Sequence, residues 1–185
     1  MNIKRIIPII LIMILILTGC GKSDSDKVKD NSQVTQENHG RVEEETVETL
    51  VAKFNTEVVD NSSLNPASTD YLTESNNEYW YGLIEGIYLV AVPKKYTGDK
   101  AADIVNYTLL YVNKTGEYES DVASYVKHLI KANNNQITDS EIDTLLKEAK
   151  TKPNSGEAAN NGKGISVGYT ENEEKYQYQV LRLYK

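Results

Sequence analysis

Apolar side chains recur every three or four residues in three segments of the chain, which is the spacing of an amphipathic helix. The predicted helices cover residues 42–59, 120–133 and 138–149. The first has an apolar face made of Val47, Leu50, Val51, Phe54 and Val58. Before the third, Thr138 and Glu141 have the spacing of a capping box, so we expect a helix to begin there.

Three consecutive glutamates, Glu43, Glu44 and Glu45, fall in the first turn of the first predicted helix. Negative charge at that end is stabilised by the positive end of the helix dipole. We therefore interpret this acidic cluster as a feature of the helix and not as a metal site.

Five segments are rich in aromatic and β-branched residues and are bounded by turn-forming residues, the pattern of β-strands. They cover residues 79–84, 87–92, 104–112, 164–169 and 175–184. Glu85 and Gly86 separate the first two at the spacing of a hairpin turn. The order α-β-β-β-α-α-β-β predicts an α+β fold, in which an antiparallel sheet of about five strands is packed on one face by about three helices.

Alternation along the later strands predicts which side chains share a face of the sheet. One face of the third strand holds Val105, Tyr107, Leu109 and Tyr111. One face of the last strand holds Gln177, Gln179, Leu181 and Leu183. Its opposite face holds Tyr176, Tyr178, Val180, Arg182 and Tyr184.

The start of the chain combines positive charge with a short apolar run. Lys4 and Arg5 precede an uncharged stretch over residues 6–17, and Thr18-Gly19-Cys20 follows directly. A run of about 12 residues is too short to cross the hydrocarbon layer as a helix, which needs about 20. This order of charge, apolar core and small residues is typical of a secretory signal peptide.

Residues 1–20 resemble the signal peptide of bacterial lipoproteins, with a lipobox at Leu17, Thr18 and Gly19 and the lipidated residue at Cys20. The resemblance implies a palmitate-bearing diacylglyceryl group on Cys20, cleavage of residues 1–19 by signal peptidase II, and a lipid-anchored location on the outer face of the cell membrane. The abundance of Asn, Lys and Ile is similar to that of proteins from low-GC Gram-positive bacteria. An uncleaved signal anchor with an unmodified cysteine is the alternative.

Residues 20–40 form a polar segment between the predicted anchor and the first helix. They hold few apolar side chains, so they cannot bury enough surface to offset the entropy of ordering, and we predict a disordered spacer. Such a spacer has a typical reach of about 25 Å. Residues 41–185 are then predicted to form a single acidic α+β domain.

The chain carries a formal charge of −7, and removal of residues 1–19 with their two cations leaves −9. Charges balance over residues 21–41, so the excess negative charge lies on the rest of the domain. An acidic domain is repelled by nucleic acid and by anionic lipid headgroups. We therefore expect no nucleic-acid partner and contact with the membrane only through the anchor.

The sequence contains no arrangement of residues that is typical of a catalytic or cofactor site. Cys20 is the only cysteine, so it has no partner for a disulfide or a thiolate metal site. His39 and His128 lack the spacing of zinc ligands, and we interpret His128 as a solvent-facing helix residue. The glycine-rich residues 156–164 lack the spacing of a phosphate loop. We expect a non-enzymatic protein without a metal or cofactor.

Tyrosine is abundant, with 13 residues in the chain beside a single tryptophan. Its apolar ring and polar tip suit protein interfaces and stacking on sugars, but also packing within a half-buried sheet. If a binding surface exists, Tyr79, Trp80 and Tyr81 are its first candidates, with a protein or a cell-wall glycan as the partner.

Together these features favour a membrane-anchored extracytoplasmic lipoprotein with a non-enzymatic binding domain. Two alternatives stay open at this point. One is a surface exclusion or immunity lipoprotein that blocks a phage or conjugation component. The other is an enzyme that acts on the cell wall.

Overall fold

Seven strands and three helices make up the part of the chain that the computed structural model describes, residues 41–114 and 119–184. The helices are α1 (Val47–Asn61), α2 (Glu119–Asn133) and α3 (Asp139–Thr151). The strands are β1 (Thr73–Ser75), β2 (Glu78–Ile84), β3 (Ile87–Pro93), β4 (Val105–Asn113), β5 (Ala159–Asn160), β6 (Ile165–Glu171) and β7 (Lys175–Arg182).

All seven strands pair antiparallel in one sheet, in the order β1-β2-β3-β4-β7-β6-β5. This confirms the predicted α+β fold with three helices, and it adds two strands to the predicted five. The additional strands, β1 and β5, have three and two residues and lie at the two edges. Their short polar sequences carry no alternating pattern, so pairing with a neighbour is what makes them strands.

The apolar stripes of the helices pack against one face of this sheet, which we call the helix-side face. Side chains alternate between the two faces along each strand, and those on the helix side join the helices in a single core. Phe54 of α1, Tyr125 of α2 and Leu110 of β4 are all fully buried there. Burial of each such side chain stabilises the fold by about 1.5–3 kcal/mol.

The start of α3 confirms the predicted capping box. The backbone N–H of Thr138 donates to Glu141 Oε2 at 2.8 Å, and the N–H of Glu141 donates to Thr138 Oγ1 at 3.4 Å. Lys163 Nζ also donates to the same carboxylate at 3.0 Å, and these bonds lower the pKa of Glu141 to about 2.

The start of α1 corrects the sequence prediction. The helix begins at Val47, after an N-cap at Thr46, and not at residue 42. The preceding segment is extended because it bonds to the sheet: the N–H of Val42 donates to the carbonyl of Leu183 at 2.8 Å. The expectation that the glutamates at 43–45 occupy the first helical turn is therefore wrong.

A shift of register in the sheet corrects one predicted face. The β3–β4 pairing is irregular between Val92 and Pro93. Val105 consequently lies in the core on the helix side, away from Tyr107, Leu109 and the rest of the face predicted for this strand.

None of the helices within residues 41–114 and 119–184 is long and apolar enough to cross a membrane. The lipobox Leu17, Thr18 and Gly19, the lipidation site Cys20 and the predicted spacer lie outside these described residues.

Candidate functional site

Alternation along β2 separates the three aromatic residues that the sequence put forward as one binding surface. Tyr79 and Tyr81 are 0% and 1% exposed and belong to the core on the helix side. Trp80 lies on the opposite face and is partly exposed. The expected surface of three neighbouring aromatic residues is therefore wrong for the two tyrosines, and only Trp80 can contact a ligand.

Tyr79 and Tyr81 are surrounded by other residues of the fold and have a structural role. The hydroxyl of Tyr79 donates to Asp103 Oδ2 at 2.6 Å, while the backbone N–H and hydroxyl of Thr97 donate to the other oxygen of that carboxylate at 2.8 and 2.6 Å. These bonds tie the loop between β3 and β4 to the core. Burial raises the pKa of Tyr81, with smaller contributions from Tyr71 and nearby carboxylates.

Trp80 instead belongs to an aromatic cluster on the face of the sheet that carries no described helix. We call this the open face and define it by the outward side chains of β2, β3, β4 and β7. Ring centroids of Trp80 lie 5.9 Å from Tyr88 and 5.3 Å from Tyr111, and those of Tyr88 and Tyr111 lie 6.3 Å apart. All three rings are partly exposed.

The aromatic cluster surrounds a small apolar centre. Val90 pairs with Trp80 on one side and with Leu109 on the other. Val90 is 0% exposed and Leu109 is 8% exposed, yet neither belongs to the core beneath the helices. The open face therefore has a buried apolar centre of its own, which is unusual for the solvent side of an antiparallel sheet.

A leucine extends this apolar surface toward the edge of the sheet. Leu72 is 62% exposed, and a Cβ placed on Gly82 would lie only 3.1 Å from Leu72 Cδ1. The absence of a side chain at Gly82 thus lets Leu72 lie flat against β2. Amide side chains border the other flank, where Gln179 pairs with Leu109 and Gln177 with Tyr111.

Only two charged side chains lie on the open face, Glu78 of β2 and Lys175 of β7. The indole N–H of Trp80 donates to Glu78 Oε2 at 3.2 Å, and burial raises the pKa of that carboxyl despite this bond. Lys175 Nζ lies 5.0 Å from the ring centroid of Tyr111. Neither side chain forms an ion pair within the described residues.

A cleft of about 1090 Å³ beside α1 and the end of α2 was not foreseen from the sequence. At its base the buried Arg182 donates from Nη1 to Glu45 Oε2 at 3.0 Å and to Asn133 Oδ1 at 2.9 Å. Glu45 Oε1 also lies 2.6 Å from Lys53 Nζ. Arg182 Nη2 also donates to the carbonyl of Glu43 at 3.0 Å, whereas its buried Nε has no hydrogen-bond partner among the described residues. The network fixes the segment before α1 to β7 and α2.

His128 also differs from its predicted environment. It is buried and not solvent-facing, and its Nδ1 has no hydrogen-bond partner among the described residues. Burial lowers the pKa of the imidazole, so the neutral form is favoured.

No group of three His, Cys, Asp or Glu side chains in the described ranges is placed to hold a metal ion. Comparison of the chain with protein-family models, curated proteins and solved structures finds no match. The open face, with its aromatic cluster and its two charges, is accordingly the candidate binding surface.

Proposed function

We propose that the protein is a lipid-anchored extracytoplasmic binding protein that binds another protein through the open face of its sheet. The observation that carries the proposal is the cluster of Trp80, Tyr88 and Tyr111 around Val90 and Leu109, on the face opposite the helices. An aromatic patch with a buried apolar centre and few charges resembles the middle of a protein interface.

The arrangement of the rings favours a protein over a cell-wall glycan. A sugar ring stacks on a flat, open aromatic face, whereas the three rings here are inclined to one another by 58–64°. Inclined rings pack edge against face, which leaves an uneven surface with pockets for side chains. The exposed Leu72 beside them adds aliphatic area that a neutral sugar would not use.

The lipobox is the basis on which we propose a lipid anchor. A single acyl chain holds a protein only marginally, so a two-chain diacylglyceryl group on Cys20 would give a stable tether. We expect incorporation of labelled palmitate into the full chain and its loss in Cys20→Ala. Labelling of Cys20→Ala at the wild-type level would contradict the anchor but not the binding face.

Photo-crosslinking in intact cells tests the binding face. A photoreactive benzoylphenylalanine placed at Gln179 of the full chain should give a protein adduct, because this position borders the aromatic cluster. The matched control carries the same group at Lys147, an exposed residue of α3. Trp80→Ala in the Gln179 variant should abolish the adduct.

Equal adducts from both positions would contradict the proposal, since they would show unspecific contact. An adduct from Gln179 that survives Trp80→Ala would contradict it as well, because the contact would not depend on the aromatic cluster.

A further inference from the structure

We infer that the protein bound by the open face is a second copy of this chain, in a two-fold symmetric dimer. The inference rests on the proposed function, because it names the partner of the same face.

The two charges of the open face lie at diagonally opposite corners. The register places Trp80 level with Gln179, through the pairs Trp80–Val90, Val90–Leu109 and Leu109–Gln179. Glu78 is therefore level with residue 181 of β7, six residues from Lys175. At about 3.4 Å per residue and 4.8 Å per strand, Glu78 and Lys175 are roughly 20 Å apart along the strands and roughly 14 Å apart across them.

The midpoint of that diagonal falls in the apolar centre. Across the sheet it lies between β3 and β4. Along the strands it lies between the pair Val90–Leu109 and the pair Tyr88–Tyr111. A two-fold axis in the plane of the interface, through this point and perpendicular to the diagonal, would bring the aromatic clusters of two copies together. The same axis would place each Glu78 against Lys175 of the other copy, as an isologous interface requires.

Both charges lack a counter-ion in the described structure, and a second copy would supply it. Burial already disfavours the charged form of Glu78, so a cation brought close to it would relieve an unfavourable environment. The net charge of −7, or −9 without residues 1–19, makes two copies repel each other. The open face, with one charge of each sign, adds no net charge to that repulsion.

Charge reversal in two differently tagged full-length chains, co-purified from detergent-solubilised membranes, tests the dimer. Glu78→Lys should place Lys against Lys175, and Lys175→Glu should place Glu against Glu78. Each variant expressed with itself should therefore lose capture of the second tag by about tenfold or more, since like charges at an interface are costly. The control Lys147→Glu on α3 should capture as the wild type does.

The decisive measurement combines the two variants in one cell. A chain with Glu78→Lys and a chain with Lys175→Glu complement each other at both charge pairs, so mixed capture should return to the wild-type level. A variant that had merely lost its fold could not be rescued in this way. The double variant Glu78→Lys/Lys175→Glu should also capture itself.

Several outcomes would overturn the second copy as the partner: absent capture of wild type by wild type, unchanged capture in the single variants, or no recovery in the mixture. In each of these cases, a Trp80-dependent adduct of Gln179 with a different protein would leave the proposed function standing. Loss of that adduct as well would remove both.

Discussion

The two faces of the sheet are built from the same strands but differ in how their apolar side chains are buried and their charges are paired. The helix-side face buries Tyr79 and Tyr81 in the core that the apolar stripes of the helices also enter, and the buried cation Arg182 is neutralised by Glu45. The open face covers Val90 with its own aromatic side chains, and its two charges stay at the corners without counter-ions in the described residues. One face is part of the core, and the other is an aromatic patch with a buried apolar centre and two charges.

This contrast shows that the role of an aromatic residue in a strand depends on the face of the sheet on which its side chain lies. Tyr79 and Trp80 are adjacent in sequence, yet the first anchors a loop through Asp103 and the second belongs to the aromatic cluster of the candidate site. Substitutions of like type on the two faces should therefore have different effects on the free energy of unfolding.

The largest difference is expected between two cations of the same strand, β7. Arg182→Met removes the buried counter-ion of Glu45 and should lower the free energy of unfolding by about 3–5 kcal/mol, because the buried carboxylate then keeps only its ion pair with the exposed Lys53. Lys175→Met, on the open face, should change it by about 0.5 kcal/mol or less. Urea denaturation followed by circular dichroism measures both, and equal losses would mean that the two faces do not differ as described.

Much of the fold could be predicted because its signals are local. The capping box at Thr138, the turn at Gly86, which has φ of +81°, and the apolar stripes of the helices each depend on residues close in sequence. The start of α1 could not be predicted, because residues before Thr46 are held by backbone bonds to Leu183, just after β7, and to Val105, the first residue of β4. The edge strands β1 and β5 were missed for the same reason.

The candidate site was predicted only in part. Trp80 was named, but together with Tyr79 and Tyr81, although the alternation of side chains along a strand puts those two tyrosines on the other face. Tyr88 and Tyr111 are directly paired across β3 and β4, but that register is set by tertiary packing and has no sequence signal. The contact of Arg182 with Glu45 spans 137 residues and was equally out of reach.

A smaller difference is expected when a single hydroxyl is removed from each face. Tyr79→Phe deletes the donor to the buried carboxylate of Asp103 and should cost about 1.5–3 kcal/mol, as expected for a hydrogen bond to a charged group. Tyr88→Phe should cost about 0.5 kcal/mol or less, because its ring packing is retained. Thermal unfolding of the two variants beside the wild type tests this, and a Tyr88→Phe loss as large as that of Tyr79→Phe would contradict it.

The smallest changes in the free energy of unfolding are expected from the titration of His128 and of Glu78, and these two changes have opposite signs. Burial lowers the pKa of His128 below its ordinary 6.5, and Lys131 adds to this while Glu57 and Asp139 oppose it. The stability that the neutral imidazole allows is therefore present above pH 6.5 and is lost as the pH falls toward the lowered pKa. Because His128→Gln cannot be protonated, it should lose less stability than the wild type between about pH 8 and pH 5.

The pKa of Glu78 on the open face is shifted in the opposite direction to that of His128. Burial raises its pKa above 4.5, so the folded state binds this proton more readily than the unfolded state, and acidification toward the raised pKa favours folding. Glu78→Gln mimics the protonated form, so it should match the wild type at acid pH and should lack the loss of stability that the wild type shows as the pH rises above 4.5. Urea midpoints over the pH series give the two difference curves, and slopes of the same sign for His128→Gln and Glu78→Gln would contradict the assignment of opposite titrations to the two sites.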